Sequence, residues 1–319
     1  MTLAWGVVGT GRIAHDVGAV IAAHPAMEVV AVGSRDLARA TALAFELGAA
    51  SAHGSYAALV ADPAVQAVYV ATPHAAHAEV VEPALQAGRA VLCEKPMTHR
   101  LEETKRLATV ARATGAFLME GMWMRFNPLV RQLQQLVRGG DLGEIRSLHA
   151  TFGFPAPYDA VGRLWDPALG GGALLDLGVY TVDLARLLLG PPSHVTAVGS
   201  LAPTGVEAES TLTLSWDSGA TALLEQSLVA RLPGTALVVG SRGWAELSPS
   251  FHAPLRLRTQ TSGEVVEHVN DDRLAGFVGE LEEVARCLNA GLTQSEVMPL
   301  DDSVATAGVL DQARRQLGA

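Results

Sequence analysis

Three stretches of this 319-residue chain combine residue types and spacings that could do chemistry. Gly9-Thr10-Gly11-Arg12-Ile13-Ala14 follows the apolar run Leu3–Val8 and opens a helical pattern, the setting in which G-x-G-x-x-G/A holds a dinucleotide. Gly9 permits a tight turn, Gly11 lets a pyrophosphate reach the main chain, and Ala14 allows close helix–strand packing, while the helix N-terminus balances the negative charge. An ordinary glycine turn of an α/β sheet would use the same residues. After the second apolar run, a site for NAD would place Asp or Glu against the ribose 2′-hydroxyl. Ser34-Arg35-Asp36 stands there instead, with Arg39 one turn further on. A hydroxyl and guanidinium groups suit a 2′-phosphate, so the expected cofactor is NADP. The alternative is a solvated helix start in which Asp36 is an N-cap.

The second stretch comprises two strand ends, Ala71-Thr72-Pro73-His74-Ala75-Ala76-His77 and Cys93-Glu94-Lys95-Pro96-Met97. Ligands of an open parallel sheet bind beyond the carboxyl ends of its strands. A lysine there serves either as a base or as a cation favouring a nearby oxyanion, and the same segment also reads as a loop leading into a helix. His74 and His77 have no supporting Asp, Glu or Cys for a metal, so no metal site is expected. They fit capping roles or a contact to nicotinamide or ribose equally well. The third stretch is Gly170-Gly171-Gly172-Ala173-Leu174-Leu175-Asp176-Leu177-Gly178-Val179-Tyr180. Asp176 and Tyr180 share a helix face at i,i+4, and Asp183 continues it. A tyrosine is a poor base unless a cation stabilises its phenolate, a part Lys95 could take. A buried Tyr with a satisfied hydroxyl and an Asp complementing the helix start account for the same pattern.

These groups need elements to position them. From residue 3 to about 120, the short apolar runs Leu3–Val8, Glu28–Val32, Ala67–Val70, Ala90–Cys93 and Phe117–Glu120 alternate with helical patterns at Asp36–Leu47, Ala76–Ala87 and Glu102–Thr114. That rhythm predicts an α/β fold with an N-terminal doubly wound parallel sheet of Rossmann type over residues 1–121. Beyond it, helices at Pro128–Val137 and Ala173–Leu189 accompany strands at Ile145–Phe154, Val195–Ser200, Thr211–Trp216, Ala220–Val229, Ala236–Val239, Leu255–Thr259 and Val265–Val269. Asp217-Ser218-Gly219 supplies a hairpin turn, and helices at Leu274–Asn289 and Ser303–Gln316 end the chain, the last behind an Asp301-Asp302-Ser303 cap. Residues 122–319 therefore read as an α+β domain on a largely antiparallel open sheet. Such a sheet has two faces to cover and helices for one, which predicts a homo-oligomer.

Composition bounds the partners. Apolar residues make up 49% and charged residues 18%, enough for real cores. With 23 basic and 33 acidic residues the net charge is −10, and no Lys/Arg cluster is visible, so nucleic acid is a poor partner. No apolar run is long enough to cross a membrane, no basic leader precedes the first strand, and Cys93 and Cys287 show neither disulfide nor metal spacing. A soluble protein of a reducing compartment, the cytoplasm, is expected.

GTGRIA, ATPHAAH, VLCEKPMT and GGGALLDLGVY occur in this order and together resemble the glucose–fructose oxidoreductase/inositol dehydrogenase/MocA-like family along essentially the whole chain. Within it, MEGMWMRFNP and the Tyr ending of the last motif are most similar to dimeric dihydrodiol dehydrogenases and NADP-dependent xylose dehydrogenases. The resemblance implies a Rossmann domain followed by a domain whose open sheet often serves dimerisation. It implies Lys95 as catalytic lysine, Asp176 as its aspartate and Tyr180 as acid/base, where inositol dehydrogenases have His. Nicotinamide-side contacts would come from Thr72, His77, Glu94, Arg125 and Trp165, whereas His74 stands where the broader family often has Asn. The implied reaction exchanges a hydride between NADP and a secondary alcohol or hemiacetal carbon of a sugar, polyol or trans-dihydrodiol. A non-catalytic NADP- or sugar-binding sensor on the same fold is the alternative, though such a protein would be expected to lose Lys95 or the acid/base. Trp123, Phe154 and Trp165 suggest a ring-stacking surface and serve equally as core.

Overall fold

A computed structural model describes residues 2–261 and 263–319. The chain forms two compact units, Met1–Met122 with Phe277–Val304, and Trp123–Gly276 with Ala305–Ala319.

The first unit alternates β1 (Leu3–Val8), α1 (Arg12–Ala23), β2 (Met27–Gly33), α2 (Leu37–Leu47), β3 (Ser51–His53), α3 (Tyr56–Ala61), β4 (Ala67–Val70), α4 (His77–Gln86), β5 (Ala90–Glu94), α5 (Leu101–Thr114) and β6 (Leu118–Gly121). The strands lie in the order β3-β2-β1-β4-β5-β6, and every pairing is parallel. This is the doubly wound sheet expected, with its reversal of strand order between β1 and β4. Its strands are apolar because both faces are covered, and Val8, Val68, Val70 and Val91 are wholly buried in one core cluster with Val80, Leu85 and Leu107 of the helices. Strand β3 and helix α3 were not anticipated. Ser51-Ala52-His53 is half-buried and borrows its place from pairing with β2 rather than from apolar pattern. Asp36 is the N-cap of α2, accepting from the amides of Ala38 and Arg39 at 3.0 and 3.2 Å.

The second unit contains α6 (Pro128–Arg138), β7 (Ile145–Gly153), α7 (Val179–Leu189), β8 (His194–Leu201), β9 (Glu207–Ser215), β10 (Thr221–Ser227), β11 (Ala236–Gly240), β12 (Trp244–Leu247), β13 (Arg256–Gln260) and β14 (Val265–Val269). Its sheet runs β14-β13-β12-β11-β7-β10-β9-β8. All neighbours are antiparallel except β7 and β10. Strand β12 was missed because one Trp and one Leu in four residues carry too little pattern. Alternation along β10 places Ala222, Leu224 and Gln226 inward, while Leu223 lies opposite His149 of β7 and Thr213 of β9 on the outward face. That outward row continues through Leu237 and Glu246 and is not covered by helices α6 and α7, which pack on the inner side.

The chain ends with α8 (Ala275–Asn289) and α9 (Leu300–Leu317). Helix α9 starts three residues before the expected Ser303, so Asp301 and Asp302 lie in its first turn, where their charge complements the helix dipole.

Candidate active site

At the switch point of the first unit, Gly9 has φ +111°, and a Cβ there would run into the carbonyl oxygen of Ala71. Only glycine lets β1 and β4 come this close at the crevice. A Cβ on Gly11 would meet no atom within 4 Å, so the turn presents its main chain to open space. Helix α1 begins there with no side-chain cap and no acidic residue in its first turn, the electrostatics a bound phosphate requires. Arg12 is exposed and pairs loosely with Asp16, and Ile13 is half-buried behind the turn. Arg39 donates to the carbonyl oxygen of Thr10 at 3.0 Å, which ties the basic residue to the glycine turn. Ser34 is buried, and its hydroxyl accepts from the amide of Asp36 at 3.2 Å. The Tyr56 phenol has its pKa raised chiefly by burial, against the lowering pull of the exposed Arg35 guanidinium. Ser34 and Arg39 thus lie at the edge of the turn.

The strand ends are braced from within. His77 is fully buried, its Nε2 at 2.9 Å from the carbonyl oxygen of Thr72 and its Nδ1 at 3.0 Å from that of Pro96. Burial pushes its imidazole below the usual histidine range, the carbonyl oxygens opposing and the Lys95 charge adding to the effect. The ring therefore joins the two loops, with His74 edge-on to it at 5.8 Å. The Thr72 hydroxyl is buried and has no hydrogen-bond partner among the described residues, an orphaned donor in a place where a bound group could use it. Glu94 is buried at the end of β5 and accepts from the Tyr69 hydroxyl at 2.6 Å and the Lys95 amide at 3.2 Å. Lys95 is half-buried, and its bond to Pro96 is cis. Open space at Gly11, an uncapped helix start, the Arg39 guanidinium at the turn and the orphaned Thr72 hydroxyl together fit a phosphate-bearing dinucleotide.

In the second unit, the Gly170–Gly172 entry leads into a π-helical turn, Leu174–Gly178, which runs directly into α7. Such turns widen the helix and recur at functional positions. Gly172 has φ +117°, and a Cβ on it would strike Glu207, so glycine is required at this entry. Asp176 is buried and accepts from the more exposed Arg163 at 2.9 Å. Tyr180 is buried, and its phenol oxygen accepts from the indole N–H of Trp123 at 2.7 Å. Its ring lies 5.1 Å from that of His252 and 5.9 Å from that of Phe152, and those two rings stack at 4.3 Å. Spacing alone could not reveal Phe152, Arg163 or His252, because they reach the helix from distant parts of the chain. Arg125 is wholly buried in a two-pronged pair with Asp183, at 2.8 and 2.6 Å. Trp165 is buried beside Ala173 and Leu177, and its N–H donates to the carbonyl oxygen of Pro157 at 2.9 Å. Phe154 packs against the same cluster.

A family model described as "Oxidoreductase family, NAD-binding Rossmann fold" matches residues 3–122, and one described as "GFO/IDH/MocA C-terminal domain" matches residues 130–246. The chain belongs to the GFO/IDH/MocA oxidoreductase family. It is 38% identical over 328 residues to trans-1,2-dihydrobenzene-1,2-diol dehydrogenase of Macaca fascicularis, covering 100% of this chain and 98% of that one. The enzyme of the same name from Mus musculus is 36% identical over 331 residues, with the same coverage. Among solved structures, a 3-ketoreductase from Actinomadura kijaniata in complex with NADP and TDP-benzene superposes with TM-score 0.88 at 29% identity, covering 99% of this chain and 98% of that one. An aldose-aldose oxidoreductase from Caulobacter crescentus, complexed with glycerol, gives TM-score 0.90 at 26% identity, with 99% and 97% covered. No helix among the described residues is long and apolar enough to cross a membrane.

Proposed function

We propose that this oxidoreductase is an NADP-dependent dehydrogenase acting on a secondary CH–OH group of a trans-dihydrodiol, sugar or polyol. The observation that carries the reading is the buried Tyr180 phenol, whose oxygen accepts the Trp123 N–H at 2.7 Å. A donor aimed at an oxygen on which negative charge develops is what an acid–base tyrosine needs. The aromatic surround of Phe152, Trp123 and His252 suits the flat carbon face of a cyclic substrate.

In this reading residues 1–121 bind the cofactor, and residues 122–319, of which Phe277–Val304 packs with the first unit, bind substrate. Gly9, Thr10, Gly11, Arg12 and Ile13 would hold the pyrophosphate, Ser34, Arg35 and Arg39 the 2′-phosphate. Thr72, His74, His77, Glu94, Arg125 and Trp165 would shape the nicotinamide side. Arg125 and Trp165 would do so from the positions that their own buried bonds fix. NADP, when bound, supplies the centre that accepts or donates the hydride. Tyr180 removes the hydroxyl proton during oxidation and returns it during reduction. Lys95 stabilises the resulting oxygen charge, and Asp176, held by Arg163, orients a substrate hydroxyl. An absorbance assay with NADP and with NAD across trans-dihydrodiol, xylose, glucose and inositol tests the proposal. Turnover with NADP is expected, and Arg39→Ala should weaken NADP binding about tenfold or more while leaving NAD little affected, the loss of one charge-assisted contact. The absence of any absorbance change across that panel would favour the sensor instead.

The exposed outward row of the second unit's sheet, with Leu223 and Val198 on it, supports a homodimer through that face. Sedimentation as a monomer at micromolar concentration would refute it. Two buried free thiols, Cys93 and Cys287, fit residence in the reducing cytoplasm.

A further inference from the structure

The first unit buries more acid than the proposed chemistry uses. Glu280 of α8 is fully buried, and neither of its carboxyl oxygens has a hydrogen-bond partner among the described residues. An ionised carboxylate so placed would give up its hydration with nothing in return. Its charged neighbour is another acid, Glu94, which makes ionisation harder still. Glu94 is treated differently by the fold: the Tyr69 hydroxyl donates to one oxygen at 2.6 Å and the Lys95 amide to the other at 3.2 Å. Around the same strand ends lie Glu120 of β6, opposite Cys93 of β5 and accepting from the Met97 amide at 2.8 Å, and the half-buried Lys95. On α8 itself, Glu283 is engaged by Arg286 and Ser295. Of the two neighbouring carboxyls, Glu94 alone is equipped to hold a charge.

We propose that Glu280 stays protonated in the folded protein, so that of these two neighbouring carboxyls Glu94 carries the negative charge, and that Glu280 is thereby a positioning residue for the cofactor end of β5. The second half of this proposal rests on the cofactor reading given above. Burial first, and Glu94 second, push the Glu280 carboxyl well above the usual range. Loss of its proton at alkaline pH would put a second negative charge at a place meant for an anionic dinucleotide.

The test compares the full chain with its Glu280→Gln variant, which is neutral at every pH. A folded acid with a raised pKa stabilises the protein at low pH and loses that contribution as pH rises. Denaturant unfolding should therefore show the wild-type folding equilibrium falling about tenfold per pH unit relative to the variant, from the ordinary carboxyl value of about 4.3 until folded Glu280 titrates. Stability curves that run parallel overturn the proposal. Infrared difference spectra of the wild type should keep a protonated-carboxyl stretch at neutral pH that shifts in D2O. In Glu94→Gln, that stretch should vanish at a different, lower pH. An absent stretch, or one indifferent to Glu94, overturns the proposal even if Glu280→Gln fails to fold. NADPH affinity, read by fluorescence, should fall in alkaline solution at lower pH in the wild type than in Glu280→Gln, and identical profiles overturn the positioning role. A protein that binds no NADPH at all fails the cofactor reading, while the stability and infrared arms still judge the charge state.

Discussion

The strand-end loops of the first unit and the π-turn of the second position their polar groups by opposite means. In the loops the main chain does the holding: His77 bonds to the carbonyl oxygens of Thr72 and Pro96, Arg39 to that of Thr10, and Gly9 fits only because it has no side chain. Around the π-turn, side chains hold side chains, as in Trp123–Tyr180, Arg163–Asp176 and Arg125–Asp183. A site held by main chain tolerates few residue types at fixed places. A site held by side chains has its identity written in several distant places at once.

Five substitutions test that contrast. The largest effect should come from Asp183→Ala, which strands the wholly buried Arg125. A loss of about 3–5 kcal/mol in denaturant unfolding is expected, and a loss below 1 kcal/mol would show that the pair is dispensable. Tyr180→Phe and Lys95→Ala should each cut turnover by about two orders of magnitude with little change in stability, so near-normal rates would remove both from the chemistry. Gly9→Ala should destabilise the first unit by about 1–3 kcal/mol and weaken dinucleotide binding, because φ +111° and the Ala71 carbonyl both oppose a Cβ. The smallest effect on stability belongs to Arg163→Ala. Its side chain is 58% exposed, so the change should stay under about 1 kcal/mol, and any larger fall would mean the pair is structural rather than a holder for Asp176.

The same contrast explains what could be read before the structure. Leu3–Val8 and Ala67–Val70 emerge with their expected ends because fully buried parallel strands need unbroken apolar runs. The glycine turn was legible because backbone geometry restricts residue type locally. Strand β3, half-buried and three residues long, shows no such constraint. Nor does local spacing show that Asp176 enters on a π-turn, that His252 stacks on Phe152, or that Arg125 is committed to Asp183. Those arrangements depend on contacts separated by tens of residues, which periodicity does not encode. Glu280 reads as one more acid in an amphipathic helix, and only its complete burial sets it apart.

Because Phe277–Val304 belongs with Met1–Met122, the nucleotide-binding half is assembled from two segments that the whole of Trp123–Gly276 separates in the chain. The Leu118 amide bonds to the Thr293 carbonyl at 3.2 Å, and Leu300 lies in the same core as Val8. During synthesis that core must wait, its apolar edge uncovered, until the segment beyond Gly276 has emerged. A chain broken off before Phe277 would therefore harm that half most, and chaperone dependence should concentrate there.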